Sequence, residues 1–225
     1  MFYFPDKKYV QINVLYQLKN YLLVVPDTSV VPLFPLQQGI FPDGPMALNI
    51  FEVRYLDLIK RSYRDNTPFG IAWLADGQEV KVPGQTPRLH PWGCMAFVRR
   101  LETLQPALFR IDCQGGVRFR VGAVEPGPLG VWMAQVQYLD PDPAVPIPPE
   151  LQYLADRLGG LIAEHQGTGV APHLALYRPY ELEDCGWVAN RWAEMLPFST
   201  DQKLRLLAEM DPLERLRLVA EWVGN

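Results

Sequence analysis

Residues 32–59 read PLFPLQQGIFPDGPMALNIFEVRYLDLI, and this stretch decides the predicted fold. Pro32 and Pro35 fix their own φ angles and keep the residues before them out of the helical region, which predicts an extended segment. The Pro-Asp-Gly triplet at residues 42–44 joins a preset φ, a side-chain acceptor and a residue that tolerates positive φ, so it predicts a turn. The stretch therefore begins with a strand and a turn.

An α-helix is predicted next, over the sequence LNIFEVRYLDLIKRSYRDN at residues 48–66. Asn49 is a favourable N-cap, and Glu52 stands three residues later, which is the spacing of a capping box. Leu48 and Val53 have the spacing of a hydrophobic staple. Apolar side chains recur every three or four residues to form one face, and they are Phe51, Tyr55, Leu58 and Ile59.

Strands are predicted over most of residues 69–139, where short apolar runs and alternating segments follow one another. The segments are FGIAWL, GCMAFVRRLETL, LFRIDCQGGVRFRVG and VWMAQVQYL. Gly115 and Gly116 are predicted to turn a hairpin, with Arg118 and Arg120 on the outer face of its second strand. The connections are short and contain no crossover helix, which favours an antiparallel sheet or barrel.

Residues 140–149, DPDPAVPIPP, mark a boundary, because five prolines in ten residues cannot extend a helix or a central strand. Beyond them the apolar spacing changes from about two to about 3.6 residues, which predicts helices. Ser199 with Gln202, and Asp211 with Pro212, have the patterns of helix starts. The predicted division is an unassigned extension at 1–28, a β-barrel domain at 29–143 and a helical bundle domain at 144–225.

Composition narrows the class of protein. The net charge is −4 and the pI is about 5.4, whereas proteins that bind nucleic acid usually carry a basic footprint, so nucleic acid is an unfavoured partner. The most apolar N-terminal run, at residues 9–25, is interrupted by polar residues and is too broken for a membrane span. The three cysteines form no C-x-x-C pair, so we expect a reducing, cytoplasmic setting.

The sequence contains no recognisable motif for catalysis or for a cofactor. The phosphate-binding G-x-x-x-x-G-K-[ST], the dinucleotide-binding G-x-G-x-x-G and the nucleophile elbow G-x-S-x-G are absent. The three histidines, His90, His165 and His173, do not have the spacing of a metal site. Glu181, Glu183 and Asp184 precede a helix, where carboxylates favourably face the helix dipole; a paired-carboxylate acid–base site is the alternative.

Few residues are candidates for binding a partner. Trp92, Tyr177 and Tyr180 lie beside prolines near predicted loops, and aromatic anchors bury much area with little loss of entropy. Arg118 is a candidate for contact with a carboxylate or phosphate, although an exposed strand position explains it equally simply. Arg54 is interpreted as a structural tie, because buried charges are paired. The predicted peptide-binding residues are therefore Trp92, Arg118, Tyr177 and Tyr180.

The opening stretch closely resembles the signature of the Lon protease N-terminal domain family. The matching segments of that stretch are residues 32–36, 41–42, 46–48 and 50–55. The later segments FGI at 69–71, GGVRFRV at 115–121 and WAEMLPFSTDQKLRLLAEMDPLERLRLV at 192–219 also fit. The resemblance extends over about residues 29–223.

The resemblance implies an α+β fold, in which a PUA-like antiparallel β pseudo-barrel with one packed helix is followed by a C-terminal helical bundle. In full-length Lon this domain helps to recognise and bind substrate proteins. The sequence has neither the ATPase P-loop nor the protease domain with its serine and lysine, and so it resembles the stand-alone bacterial proteins of this family. We therefore expect a non-enzymatic module, without cofactor, that binds polypeptide segments or a partner protein.

Two alternatives stay open at this point. RNA binding through the PUA-like barrel, by analogy of fold alone, requires a contiguous basic face, formed by Arg99, Arg100, Arg118 and Arg120. A small-ligand protein requires a deep pocket between barrel and bundle with converging polar groups. Neither the partner nor the oligomeric state follows from the sequence.

Overall fold

The computed structural model describes residues 28–80, 84–168 and 179–224. Its strands are β1 (Thr28–Leu36), β2 (Pro45–Ile50), β3 (Phe69–Asp76), β4 (Arg88–Gln105), β5 (Leu108–Pro126) and β6 (Trp132–Tyr138). Its α-helices are α1 (Val53–Asp65), α2 (Gln152–Thr168), α3 (Cys185–Met195), α4 (Thr200–Ala208) and α5 (Pro212–Gly224). Short 3-10 turns span Pro128–Gly130 and Pro149–Leu151. Apart from Thr28, the predicted N-terminal extension lies outside the described residues.

The six strands form one sheet in the order β2-β5-β4-β3-β1-β6, and β5 also pairs with β6, so the sheet closes into a ring. The length of β5 allows this closure, because residues 109–114 pair with β2 and residues 119–126 pair with β6. The predicted α+β class is confirmed. β1 and β3 form a parallel pair within this otherwise antiparallel sheet, and α1 lies on the long connection that a parallel pair needs.

The predicted capping box at the start of α1 is wrong. The helix begins at Val53, and its N-cap is Glu52, whose side chain makes no capping hydrogen bond. Asn49 lies in β2, opposite Arg110 of β5. The ladder with β5 continues to Ile50, and its hydrogen bonds outweigh the local preference of Asn49 for a helix end.

The apolar face of α1 differs from the prediction at its beginning. Tyr55, Leu58 and Ile59 are buried as predicted. Phe51 precedes the helix and is 58% exposed, and Val53 is 80% exposed, so the predicted hydrophobic staple is also wrong. Phe51 lies in the segment between β2 and the helix, and Val53 is the first residue of the helix, before its buried face begins at Arg54.

The hairpin turn predicted at Gly115 and Gly116 is wrong as well, since β5 runs through both glycines. The chain turns instead at residues 106–107, between β4 and β5. A Cβ atom on Gly115 would lie 1.8 Å from the carbonyl oxygen of Phe41, and one on Gly116 would lie 2.9 Å from the ring of Phe97. These glycines therefore permit close packing within a strand rather than a turn.

The helix starts in the C-terminal third are confirmed. The hydroxyl of Ser199 accepts from the backbone N–H of Gln202, whose side chain accepts from the N–H of Ser199 in return. The carboxylate of Asp211 accepts from two backbone N–H groups in the first turn of α5. Asp184 accepts from the N–H of Trp187 at the start of α3, which supports the capping interpretation of the acidic group.

Three clusters of buried apolar side chains form the core. One of them joins the four C-terminal helices and includes Phe41 and Trp73 from the β-sheet region. The rings of Phe41 and Trp73 meet edge to face with their centroids 6.1 Å apart. The sheet and the helices thus share apolar packing, and the division into 29–143 and 144–225 stays a prediction.

Candidate functional site

Arg118 lies at the junction between the sheet and the helices, and its side chain is only 3% exposed. The prediction that it stands on the outer face of a strand is therefore wrong. Its Nη1 donates to the carbonyl oxygens of Leu207 at 2.9 Å and Glu209 at 2.7 Å, at the end of α4. The C-terminus of a helix offers unpaired carbonyl groups and a partial negative charge, which suit a guanidinium group.

Asp142 holds Arg118 together with a second buried arginine, Arg215 of α5. Asp142 accepts from Arg118 Nη2 at 2.5 Å and from both terminal nitrogens of Arg215, at 2.5 and 3.1 Å. Arg215 also donates to the side-chain oxygen of Asn190 and to the carbonyl of Glu209. Burial lowers the pKa of Arg118 to about 10, the charge of Arg215 adds to this, and Asp142 opposes it. All of these hydrogen bonds have partners inside the fold, so the cluster links β5 to the helices.

Among the described residues, Glu194 of α3 is the carboxyl group whose pKa is raised. Burial raises this pKa to about 7, and Arg191 opposes the shift. Such a pKa marks a candidate acid–base group when the carboxyl faces a cleft. Glu194 Oε1 instead accepts from the backbone N–H of Phe41 at 3.2 Å, and Oε2 lies 3.0 Å from Arg191 Nε. The carboxylate therefore holds the loop between β1 and β2.

The predicted aromatic residues lie against the helical core. Trp92 is half-buried there, and the guanidinium carbon of Arg120 lies 6.0 Å from its ring centroid. Tyr180 packs on the same cluster, with its ring centroid 6.3 Å from that of Trp187. Tyr177 lies outside the described residues. Peptide binding by Trp92, Arg118, Tyr177 and Tyr180 stays a prediction.

The arginines named for the RNA alternative do not form one basic face. Arg118 is buried against Asp142. Arg100 is paired with two carboxylates, at 3.1 and 4.0 Å. Arg99 donates to a glutamine side chain, and Arg120 packs over a tryptophan ring. The positive charge is divided between separate local partners, which removes the basis of that alternative.

The contact region between sheet and helices contains packed side chains, since Phe41 is 1% exposed and Trp73 is 2% exposed. A cleft in the described part of the chain lies elsewhere, between the β3–β4 connection and the sheet, and is lined by Pro35, Glu79 and Trp132 among others. Its volume is about 30 Å³, whereas pockets that bind drug-sized ligands have roughly 300–1,000 Å³. The small-ligand alternative gains no support from these features.

The described residues contain neither a cluster of metal ligands nor a membrane-spanning helix. Across those ranges no group of three or more His, Cys, Asp or Glu side chains is placed to hold a metal ion, and the side chains of His165 and His173 fall outside them. Where the structure describes the chain, its helices are too short or too polar to cross a membrane.

Arg54 organises a different region, and its predicted role as a structural tie is confirmed. Its side chain is 7% exposed and forms a two-point pair with Glu52, at 3.0 and 3.2 Å. The same guanidinium donates to the carbonyl oxygens of Gly130 and Glu79, each at 3.4 Å. One buried arginine thus joins the start of α1 to the β3–β4 and β5–β6 connections.

Exposed apolar residues occur in each of the three segments that this arginine joins. Four of them are chain neighbours of groups in its hydrogen-bond network, and we call them the Arg54 patch: Phe51, Val53, Val80 and Leu129. They are 58%, 80%, 48% and 73% exposed, respectively. Clustered exposed apolar residues mark interaction sites, whereas single ones need no explanation.

Leu129 has a further feature that sets it apart from an ordinary surface leucine. Its φ angle is 57° and its ψ angle is 14°, a left-handed conformation that is unfavourable for a residue with a branched apolar side chain. Strained and exposed positions are concentrated at functional sites. The patch therefore is the best-supported candidate site on the described surface.

Sequence reasoning did not find this patch. The spacing predicts Phe51 on the apolar face of a helix and Val53 in a hydrophobic staple, but the helix starts later than predicted. Leu129 stands between proline and glycine in the sequence EPGPLGV, and an apolar residue inside such a turn is a signal of surface exposure that the sequence does carry.

Comparisons with known proteins agree on one family. The family model for the ATP-dependent protease La (LON) substrate-binding domain matches residues 30–225. The crystal structure of a Lon N-terminal domain protein from Xanthomonas campestris is 27% identical, with a TM-score of 0.67, and the match covers 86% of this chain and 98% of that chain. The N-terminal domain of Mycobacterium avium complex Lon protease is 18% identical, with a TM-score of 0.55 and coverage of 88% and 99%, and this likeness concerns the fold alone. No protein of curated function matches the sequence.

Proposed function

The chain belongs to the family of the Lon substrate-binding domain, and we propose on that basis that it is a non-enzymatic module that binds polypeptide segments. The observation that carries the proposal is the family match over residues 30–225, together with the similar fold of the Xanthomonas campestris protein. A domain that binds substrate for a protease needs a surface that recognises unfolded chains, not a set of reacting groups.

The Arg54 patch has the chemistry for this task. Unfolded polypeptides expose apolar side chains that folded proteins bury, and transfer of such side chains from water contributes about 25 cal/mol per Å². Val53 and Leu129 offer apolar area at fixed positions, because Arg54 holds the backbone beside them. A rigid apolar surface loses little entropy on binding. We assign the binding surface to this patch.

A cytoplasmic setting is part of the proposal. The cysteines Cys94, Cys113 and Cys185 are free and buried, and burial raises the pKa of all three thiols. Thiols of this kind are typical of reducing compartments and are protected from reaction by their neutral state.

The test is the binding of a permanently unfolded probe, fluorescein-labelled, reduced and carboxymethylated α-lactalbumin, measured by fluorescence anisotropy. We expect the full chain to bind this probe and to leave native α-lactalbumin unbound. Val53→Ser is expected to weaken binding about tenfold, which corresponds to about 1.4 kcal/mol. Tyr153→Ser is the matched control, since Tyr153 is a 47% exposed residue on α2, outside the patch.

Two further variants examine the residues predicted from sequence. Trp92→Leu and Tyr180→Phe test whether the aromatic side chains on the helical core take part in binding. If these variants bind unfolded α-lactalbumin more weakly and Val53→Ser binds it as the wild type does, the binding surface lies on the helical core. Equal binding of native and unfolded α-lactalbumin, or no binding of either, would contradict the proposed function itself.

A further inference from the structure

β2 forms one edge of the sheet, because β5 is the only strand that pairs with it among the described residues. Edge strands in natural proteins are usually blunted by charged side chains, bulges or a covering element, since a free edge recruits other strands. The β2 sequence PMALNI has no charged residue. Its proline, Pro45, stands at the first position, where it interrupts the ladder least. The rest of the strand keeps its backbone groups.

The hydrogen-bonding pattern indicates which backbone groups of β2 point away from β5. The N–H of Asp43 donates to the carbonyl of Gly115, and the N–H of Gly115 donates to the carbonyl of Gly44, at 3.1 and 2.8 Å. Asp43 has a φ of 61°, so this is a bulge of the type that places its first residue in the left-handed region. Hydrogen-bonded and non-bonded pairs then alternate along the ladder, which directs the N–H and C=O groups of Ala47 and Asn49 outward.

An unpaired positive charge lies beside this edge. Arg110 of β5 is opposite Asn49 and is exposed, and its guanidinium group has no hydrogen-bond or ion-pair partner within the described residues. Glu102 of β4 lies opposite Arg110 on its other side, but Glu102 is paired with Arg100 at 3.1 Å. Because Asn49 is short, the long side chain of Arg110 can extend past it toward a strand on the far side, about 4.8 Å further out.

The edge also leads directly into the Arg54 patch. Phe51 follows the last residue of β2 and is 58% exposed. It is two positions beyond Asn49, which is the spacing of side chains on the same face of an extended chain. A strand laid along β2 therefore meets Arg110 and then, two residues further, an apolar surface.

We infer that β2 binds an extended, acidic polypeptide segment by strand addition. The backbone of the segment pairs with the outward groups of Ala47 and Asn49, a carboxylate faces Arg110, and an apolar side chain two residues away packs on Phe51. Main-chain pairing accepts many sequences, and the side-chain contacts add the preference. This inference rests on the proposed function and names the conformation and charge of its ligand.

The backbone part of the inference is tested with the labelled peptide Thr-Val-Thr-Val-Asp-Val-Phe-Val-Thr and its reversed sequence, which together cover parallel and antiparallel addition. Each is made with N-methyl groups on either of the two alternating sets of residues. We expect methylation of one set to weaken binding at least tenfold and methylation of the other set to change it less than about twofold. Equal effects of the two sets would overturn strand addition.

The charge part is tested with a double-mutant cycle. Arg110→Gln is expected to weaken binding of the Asp peptide about fivefold and to leave the corresponding Asn peptide unchanged, a coupling of about 1 kcal/mol. Arg100→Gln is the control, since Arg100 already has two acidic neighbours. Equal losses for the Asp and Asn peptides would overturn the role of Arg110.

Hydrogen exchange of the full chain distinguishes the possible occupants of the edge. We expect the amides of Ala47 and Asn49 to exchange rapidly without peptide and to be protected by it. Protection without peptide would show that residues 1–27 or a second copy of the chain already covers the edge, and sedimentation would tell these apart; either result overturns the inference. If unfolded α-lactalbumin binds while the methylated peptides behave alike, only the inference fails and the proposed function stands.

Discussion

The backbone N–H of Phe41 donates to Oε1 of Glu194 at 3.2 Å, across 153 positions of sequence. Arg191, in the preceding turn of α3, donates to the carbonyl oxygen of Pro42 at 2.6 Å. One helix thus holds the turn that follows β1 through both a donor and an acceptor. The loop of the opening stretch is positioned by α3, not by its own prolines alone.

This contact predicts that stability depends on pH through Glu194. Burial raises its pKa from 4.5 to about 7, and Arg191, Lys203 and the N–H of Phe41 oppose the shift. Between these two values the folded state binds more protons than the unfolded state, so the free energy of unfolding falls as pH rises. Each pKa unit corresponds to about 1.4 kcal/mol.

Glu194→Gln removes this titration and keeps an acceptor for the N–H of Phe41. We expect the free energy of unfolding of the wild type to fall by about 2 kcal/mol more than that of the variant between about pH 5 and pH 8. Urea denaturation at several pH values measures it. A wild-type chain that gains stability relative to the variant over this window would contradict the assignment.

Gly44→Ala is predicted to break the same contact by steric conflict. A Cβ atom at this position would lie 1.6 Å from Oε1 of Glu194, and overpacking of this kind destabilises by about 1–3 kcal/mol. Gly160→Ala is the control, because nothing lies within 4 Å of its Cβ position in α2. Alanine in an exposed helix should raise stability by about 0.5–1 kcal/mol. Thermal unfolding of both variants gives opposite shifts of Tm if the contact is as described.

Asp142→Asn is predicted to leave Arg118 and Arg215 buried without their shared carboxylate. Loss of one partner from a buried ion pair destabilises by about 3–5 kcal/mol. The matched control is Glu102→Gln, which removes an exposed partner of Arg100 and should change stability by less than about 1 kcal/mol. Urea midpoints with unchanged m values measure both, and similar values for the two variants would argue against the network.

Leu129→Gly is predicted to separate stability from binding. Glycine adopts a φ of 57° without strain, so relief of about 1–2 kcal/mol is partly offset by the added entropy of the unfolded chain. We expect a stability between unchanged and about 1 kcal/mol higher, with binding of unfolded α-lactalbumin weakened severalfold. A large loss of stability would show that Leu129 packs in the fold and is not a binding residue.

Local chemistry predicted the features that depend on a few neighbouring residues. The turn at residues 42–44, the capping box of Ser199 and the cap of Asp211 are all found in the structure. The proline-rich boundary at 140–149 contains only an isolated bridge and, at its last residue, the start of the short 3-10 turn Pro149–Leu151. In each case the groups that satisfy one another are adjacent in sequence, so their geometry follows from the order of residue types.

The candidate binding site was not accessible to the same reasoning. The alternation of side chains along β5 predicts Arg118 on the outer face of the sheet. The end of α4 covers that face, and its carbonyl groups, about ninety positions further along the chain, accept hydrogen bonds from Arg118. Phe51 has the spacing of the helix face and Val53 that of a staple, but pairing of β2 with β5 delays the helix, and both residues are exposed. The relevant interactions join distant segments.

The sequence by itself determined the family, the α+β class, the turn at residues 42–44 and the caps of the C-terminal helices, because these depend on residue type and local spacing. Only the tertiary structure decided that β5 passes straight through two glycines, that Arg54 joins three segments bearing exposed apolar residues and that β2 is left as an uncharged edge. Those features depend on which strands pair and which faces the helices cover. Which strands pair depends on interactions along the whole chain, and the local preference of a residue contributes only a small part of that free energy.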